Sequence, residues 1–312
     1  MDTYLLLDYP YYNLYYKLNK KEIKFLIKNY KPIIYDNIPN NLIKYNLLKY
    51  DDKYFIIKEN FLDTYIINNL TDYFSENTRI RCRFGNNISR YDYWKKNKKK
   101  ILLKTEEKYN EINIYNIRET IYYSIKGCNN FRITVAMTIL RYFKAKKWLD
   151  ISAGWGDRLL AGIFHNIKLY ESTDPNLDLH PSYQNIINNF VTDSKKNRFI
   201  IHKNGFLEAN IINNNFDIVF SSPPFFKLEK YSEYKEDSIK KYNHEDEWID
   251  NFLVKSLIKC YHLLKKGGHL VLYIGGSNKV MEKIFFLNEF MKFKGVIYFY
   301  EKSPKGMYVW QK

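Results

Sequence analysis

Cysteine is nearly absent from this chain, and its pattern excludes two common ways of holding a fold together. Three cysteines in 312 residues, Cys82, Cys128 and Cys260, are far apart and odd in number, which argues against a disulfide framework. The six histidines do not pair with each other or with cysteine at zinc-ligand spacing, so no metal is expected. Long apolar runs are also missing. The opening Met-Asp-Thr-Tyr-Leu-Leu-Leu-Asp is too short in apolar residues for a secretory signal. No window is long enough to span a bilayer, so a soluble, intracellular chain is expected. Glycine is rare before residue 130. Arginine is scarce as well, with nine in all and none after Arg198.

What is present bounds the rest. Apolar residues make up 46% of the chain, enough for a sizeable core. A net charge of +16 and a pI near 9.3 suggest a polyanionic partner. The abundance of Lys, Asn, Ile and Tyr also follows from AT-rich coding, a style that looks like a large DNA virus or phage. Arginine is the cleaner witness, and Arg79, Arg81, Arg83 and Arg90 fall within one short stretch.

The texture changes near residue 130. Upstream, Phe61, Leu62, Tyr65, Ile66, Leu70 and Phe74 suit an amphipathic helix over 60–74. The lysines of 95–100 read as a solvated surface segment or the start of a linker. Downstream, strands are expected at 147–151, 168–172, 198–202, 216–220, 269–274, 296–300 and 307–310. Helices are expected over 133–143, 158–164, 181–190, 247–264 and 280–291. Gly267 and Gly268 suit a C-terminal cap on the fourth of these helices, and Ser303-Pro304-Lys305-Gly306 a turn between the last strands. The alternation predicts an α/β fold, a mostly parallel Rossmann-like sheet with its last strand antiparallel. The expected division is an accessory α/β or mainly helical region, 1–115, and a catalytic domain, 116–312.

Two loops carry the chemistry. In Asp150-Ile151-Ser152-Ala153-Gly154-Trp155-Gly156-Asp157, the glycines at 154 and 156 permit a sharp turn against a ligand, and Asp157 suits a helix cap. Leu159 occupies the place where a dinucleotide fingerprint wants a third small residue, which disfavours pyrophosphate. Asp174, just past the second strand, is placed to accept ribose hydroxyls; Glu171 should lie within that strand. The plainer alternative is an ordinary strand-to-helix turn. Ser222-Pro223-Pro224-Phe225 then sets a rigid turn at the tip of the fourth strand. An exocyclic base amine is a poor nucleophile because its lone pair is delocalised. The Ser222 hydroxyl and Pro223 carbonyl suit two acceptors that would hold its hydrogens and aim the lone pair. Phe225 suits stacking of an extruded base. Two prolines that merely end a strand are the competing explanation.

These loops resemble those of class I S-adenosylmethionine-dependent methyltransferases, especially the amino-methylating DNA group with its Asp/Asn/Ser-Pro-Pro-Tyr/Phe motif. Asp150, Gly154 and Gly156 match the cofactor loop, and Ser222, Pro223, Pro224 and Phe225 match the catalytic loop. Leu264-Lys265-Lys266-Gly267-Gly268 resembles the turn before the fifth strand. The resemblance spans about residues 130–312 and implies S-adenosyl-L-methionine as cofactor, held by Asp150, Ser152, Ala153, Gly154, Gly156 and Asp174. Asn129-Asn130-Phe131 resembles the segment that closes over the methionine end, though Phe131 also suits a core position. Ser-Pro-Pro is commoner among cytosine-N4 enzymes and Asp- or Asn-Pro-Pro among adenine-N6 enzymes, so the base stays open. The cofactor loop precedes the catalytic loop, unlike the permuted order of many Ser-Pro-Pro enzymes. The sequence departs from the pattern at Trp155, where small residues are usual. It also departs at Lys203-Asn204-Gly205-Phe206, which lacks the acid that often meets the cofactor adenine; Glu208 is nearby. With the chain ending just past its last strand, recognition is expected from the N-terminal region or the insert 227–245.

Alternation at 79, 81 and 83 predicts three arginines on one face of a strand, near Arg90 and Trp94, as a nucleic-acid surface. The competing explanation pairs these arginines with Asp72 and Glu76. The leading expectation is DNA amino-methylation. RNA base N-methylation and a non-catalytic nucleic-acid-binding subunit on the same fold remain as alternatives.

Overall fold

The computed structural model describes residues 2–35, 47–50, 53–58, 61–235, 237–275, 277–298 and 306–312. Its strands are β1 (Ile33–Tyr35), β2 (Lys49–Tyr50), β3 (Lys53–Lys58), β4 (Arg83–Phe84), β5 (Lys147–Asp150) and β6 (Leu169–Thr173). They continue with β7 (Phe199–His202), β8 (Phe216–Ser221), β9 (Glu229–Lys230), β10 (Leu264–Tyr273), β11 (Lys292–Tyr298) and β12 (Gly306–Gln311). Ten form one sheet, ordered β1-β3-β11-β12-β10-β8-β5-β6-β7 with β2 on β3. From β7 to β10 all neighbours run parallel, and β12 is antiparallel to both β10 and β11. This is the mostly parallel, Rossmann-like α/β sheet that the alternation predicts, with its antiparallel last strand. The chain winds outward in opposite directions from β5 and β8, so a crevice opens beyond their carboxyl ends.

Strand periodicity puts the core on both faces. Trp148 of β5 packs with Tyr170, Phe220 and Val309, under the helices Ile133–Tyr142 and Asp157–His165. Leu149, one residue on, packs with Val219, Leu270 and Trp310, under Lys255–Leu263 and Asn278–Ile284. The N-terminal region joins the first of these layers through Ile23, Ile27, Phe55 and Leu70. Its own centre holds Tyr9, Ile80, Trp94, Ile101 and Ile117. The region is therefore mixed α/β, and its strands extend the sheet beyond β11.

Four local expectations are corrected. The helix expected over 60–74 is two helices, Phe61–Asn69 and Asp72–Arg79. The lysines of 95–100 start no linker: Lys95, Lys96, Lys99 and Lys100 are exposed, as the surface alternative has it, on the helical run Arg90–Tyr109, which kinks at Asn97 and begins where the Ser89 hydroxyl accepts the Asp92 N–H at 3.0 Å. Gly267 and Gly268 do not cap a helix: that helix ends at Leu263, and Leu264 is already extended and paired with Phe216. The glycines instead turn beside the chain's end, where the Lys312 N–H reaches the Gly268 carbonyl at 2.9 Å. Cys82 and Cys128 form a disulfide, because the turn before β4 packs on the loop at 128 (Cα–Cα 6.1 Å). The turn expected at 303–306 falls largely outside the described residues.

Candidate active site

β5 and β8 lie side by side, Leu149 opposite Val219, so the loops that follow them share one crevice. A cavity of about 380 Å³ opens there. Of the residues read from the sequence, Phe131, Ser152, Gly154, Asp174, Ser222, Pro224 and Phe225 line it. Asp150, Ala153, Gly156 and Pro223 are not among the lining residues.

The turn after β5 is built from positive φ at Gly154 (63°) and Gly156 (99°), a region that side chains strain to occupy. A Cβ at Gly156 would also stand 2.8 Å from Ile186 Cδ1, so that glycine serves close packing rather than ligand contact. The Gly154 N–H donates to Asp174 Oδ2 at 2.9 Å, and the Tyr183 hydroxyl donates to the Gly154 carbonyl at 2.5 Å. The loop and the tip of β6 are thereby locked together.

Asp150 is fully buried beneath the cavity. It accepts from Arg158 Nε at 2.8 Å, from the Tyr170 hydroxyl at 3.0 Å and from the Ser221 hydroxyl at 2.7 Å. Arg158 in turn donates to the Ser152 carbonyl. Asp150 thus ties the two strand tips from below and is a positioning residue. Glu171 is spent within the sheet, on His202 and on the Ile212 and Asn213 N–H groups.

Asp174 stands at the tip of β6, accepting also the Asn176 N–H at 2.9 Å. Burial pushes its carboxyl up to about 6, against the Asn176 and Gly154 N–H groups and Tyr183, which favour the ionised form. Asp157 opens the helix after the loop without capping it. It accepts the Thr71 hydroxyl at 2.5 Å and the Phe131 N–H at 3.2 Å, and burial pushes it up to about 7. Through Asp157 the N-terminal region and the 129–131 segment both meet the end of the loop after β5.

Above Ser222 the wall is aromatic. Phe131 lies edge-on to Phe220 (5.8 Å) and Tyr273 (5.6 Å), and Phe225 edge-on to Tyr273 (6.0 Å). Among the described residues the Ser222 hydroxyl makes no hydrogen bond within the protein. Tyr273, Asn176, Tyr231 and Asp237 line the cavity and escaped the sequence reading. Tyr273 ends β10, and every parallel strand here points its carboxyl end at the crevice, so strand position could have flagged it. The other three lie in loops with no period to read.

The arginine stretch is corrected. Residues 79, 81 and 83 do not share a strand: Arg79 ends a helix, and only Arg83 belongs to β4. Arg79 is buried on Asp72, as in the ion-pair alternative, and donates to the Cys128 carbonyl at 3.1 Å. Arg90 is buried over the Tyr122 ring (3.8 Å) and donates to the same carbonyl at 3.0 Å. Trp94 is core, with its indole N–H on the Leu7 carbonyl at 3.3 Å. None of the three faces solvent. Arg81 and Arg83 do remain outside, with Lys230 and Tyr234, in an open groove of about 730 Å³. Asn176, Tyr231 and Ser232 line both hollows, so the groove abuts the cavity. Arg81 rests on the Tyr91 ring (3.8 Å), and Arg83 is 3.6 Å from Glu233.

Among the described residues no cluster of three or more His, Cys, Asp or Glu could hold a metal ion, and no helix is long and apolar enough to cross a membrane. No protein-family model matches the chain, and no curated protein matches it in sequence. Solved structures are similar in part. A methyltransferase from Pyrococcus furiosus is 19% identical with TM-score 0.41, over 58% of this chain and 83% of that one. A SAM-dependent O-methyltransferase from Thermotoga maritima is 13% identical with TM-score 0.40, over 61% and 69%. An rRNA methylase from Streptococcus thermophilus is 11% identical with TM-score 0.41, over 58% and 96%.

Proposed function

We propose that this chain is an S-adenosylmethionine-dependent methyltransferase acting on an exocyclic amino group of a nucleic-acid base, adenine N6 or cytosine N4 in DNA first. The observation that carries this reading is the convergence of Gly154, Asp174 and Ser222 on one cavity. The lining fits the cofactor. Asp174 offers a carboxylate for ribose hydroxyls, and the cavity lies within the roughly 300–1,000 Å³ typical of small-molecule sites. Among the described residues, Asn130 Oδ1 on the 129–131 wall is a buried acceptor without a partner, suited to an ammonium.

When bound, S-adenosylmethionine supplies an electrophilic methyl group. The chain's own residues supply placement. The Ser222 hydroxyl on the cavity wall accepts one amine hydrogen, and the Pro223 carbonyl, outside the lining of the ligand-free cavity, turns in to accept the other, which draws the nitrogen toward a tetrahedral shape. Phe225 and Tyr273 offer ring faces and edges to hold the base and exclude water. The proton released on transfer leaves along these acceptors to solvent. Positioning dominates, and no strong base is needed.

Asp174 makes the reading testable by pH. Its carboxyl is raised from the ordinary 3.8 to about 6 by burial, so the folded chain takes up this proton before the unfolded one does. The Asp174 contribution therefore favours the folded ligand-free form as pH falls from about 6 toward 4. Ribose binding needs the carboxylate, so affinity moves the other way. Cofactor affinity should fall about tenfold per pH unit below about 6, and Asp174→Asn should be weak at pH 7.5 and lack that limb. Calorimetric titration with S-adenosylhomocysteine across pH checks both.

Arg81 and Arg83 supply the nucleic-acid contacts that Arg79, Arg90 and Trp94 do not. The double change Arg81→Ala, Arg83→Ala should raise the KM for nucleic acid and leave kcat nearly intact. It should also flatten the salt dependence of binding by about one unit of slope for each phosphate no longer neutralised. The primary test is incubation with labelled cofactor and DNA or RNA side by side, followed by nucleoside mass spectrometry. Methylated adenine or cytosine from DNA is expected. Product from RNA alone would move the substrate class, and no methylated base from either would end the proposal.

A further inference from the structure

The third-strand turn, Lys203–Phe206, carries no carboxylate for the amine of an adenine, and Glu208 beyond it is ion-paired with Lys241. Besides Asn130 Oδ1 and the Ser222 hydroxyl, two buried polar atoms on residues that line the cavity find no hydrogen-bond partner among the described residues. They are Asn176 Nδ2 and Ser238 Oγ, on side chains 4% and 8% exposed. A buried polar group left unpaired is costly, and a wall holding one free donor and one free hydroxyl anticipates a ligand edge with the opposite pattern. Asn176 adjoins the ribose-side carboxylate, its own N–H on Asp174 Oδ1. Ser238 belongs to the insert, and its neighbour Asp237 is close enough to Asp174 to help raise that carboxyl.

The insert is moored over this end of the cavity at three points. β9 pairs with β4, Arg83 opposite Lys230. The Tyr234 hydroxyl donates to Asp178 Oδ1 at 2.9 Å. Lys241 reaches Glu208. Phe206, buried, supplies an apolar floor beside Leu179.

Resting on the cofactor reading above, we infer that the adenine edge is read by the insert rather than by the third strand: Ser238 Oγ accepts a hydrogen of the exocyclic amine, and Asn176 Nδ2 donates to a ring nitrogen. The same segment carries Lys230 and Tyr234 into the outer groove. One element therefore senses the cofactor on its inner side and faces the polymer on its outer side.

The test is calorimetric titration of the full chain with S-adenosylhomocysteine and with its 6-deamino purine analogue. The unaltered protein should bind the amino form about tenfold more tightly, the effect of one buried hydrogen bond. Ser238→Ala should bind both ligands alike, at the weaker level, and Ser238→Thr should restore the preference. Asn176→Asp keeps the acceptor that receives the Asp178 N–H and loses the donor; it should weaken both ligands about tenfold. Equal affinity of the unaltered protein for the two ligands, or a preference that survives Ser238→Ala, overturns this assignment and leaves the methyltransferase reading standing. Binding of neither ligand overturns both.

Discussion

Ser222→Ala should lower the rate of methyl transfer by roughly a hundredfold to a thousandfold, the scale seen when one preorganised hydrogen-bonding group at a reacting centre is removed. S-Adenosylhomocysteine affinity should stay within about twofold, a separation that follows from where the hydroxyl sits. Ser222 lines the cavity on the β8 side, whereas Gly154 and Asp174, which the reading assigns to the cofactor's ribose end, follow β5 and β6. Ser221, one residue earlier, points the other way and holds Asp150 at 2.7 Å. Changing Ser222 therefore leaves the strut beneath the cofactor loop intact. The loss belongs in kcat, because the amine hydrogens need their acceptors most as the nitrogen rehybridises. Single-turnover rates with saturating cofactor and DNA, set beside the calorimetric Kd, decide it. A matching collapse of cofactor affinity would show that Ser222 shapes the pocket rather than the reaction.

Arg118→Ala should cost about 3–5 kcal/mol of folding stability, the range for stripping one partner from a buried ion pair. Arg118 is 2% exposed and bonds Asp72, Glu76 (2.5 Å) and Glu119 (2.9 Å), with the Tyr122 ring 4.2 Å from its guanidinium. Burial alone would raise Asp72, but the Arg79 and Arg118 guanidiniums prevail and hold its carboxyl below the ordinary range. Glu76 goes the other way, raised by burial. Without Arg118, two buried carboxylates face one remaining ion-paired guanidinium, and Glu76 is the one that will take a proton. Its folded pKa then lies further above its unfolded value, so the variant binds more protons folded than unfolded and regains stability as pH falls. Denaturant melts of both proteins between pH 7 and 5 should show the deficit shrinking on acidification. A pH-independent deficit would mean that lost packing, not stranded charge, is the cause. Cofactor affinity should drop as well, because Asp72 also holds Asn130 at 2.7 Å, and Arg79 and Arg90 both grip the Cys128 carbonyl.

The half of the chain after residue 130 was legible because its signals are local. Period-two apolar runs, a glycine turn needing positive φ and a Pro-Pro break each report on their own few residues. The arginine stretch misled for the same reason. Alternation at 79, 81 and 83 looks like one face of a strand, but Asp72, Glu76 and Arg79 also recur at helical spacing. Burying them against Arg118, far along the chain, outweighed any strand preference. The disulfide was illegible because 46 residues separate its cysteines and only tertiary packing joins them. Within the cavity, strand tips could be inferred. The Tyr231, Asp237 and Ser238 wall could not, since it depends on β9 finding β4 across the surface. Asp150 is a subtler case. The motif places it among the cofactor-holding residues, whereas the structure buries it beneath the loop after β5, which it braces from below.

One consequence follows from β3 lying on β11. A sheet that stopped at β11 would present that seven-residue strand's outward backbone groups unpaired, a ready template for another chain. The protein's own N-terminal third covers the end of that border, Ile56 opposite Tyr298 and Leu47 opposite Val296, while the opposite margin, β7, offers four residues. Fragments begun near residue 116 would lose both this cover and the Asp72 and Glu76 carboxylates that pair with Arg118. They should self-associate before they could be assayed, so the smallest useful version of this protein is one that keeps its first hundred residues.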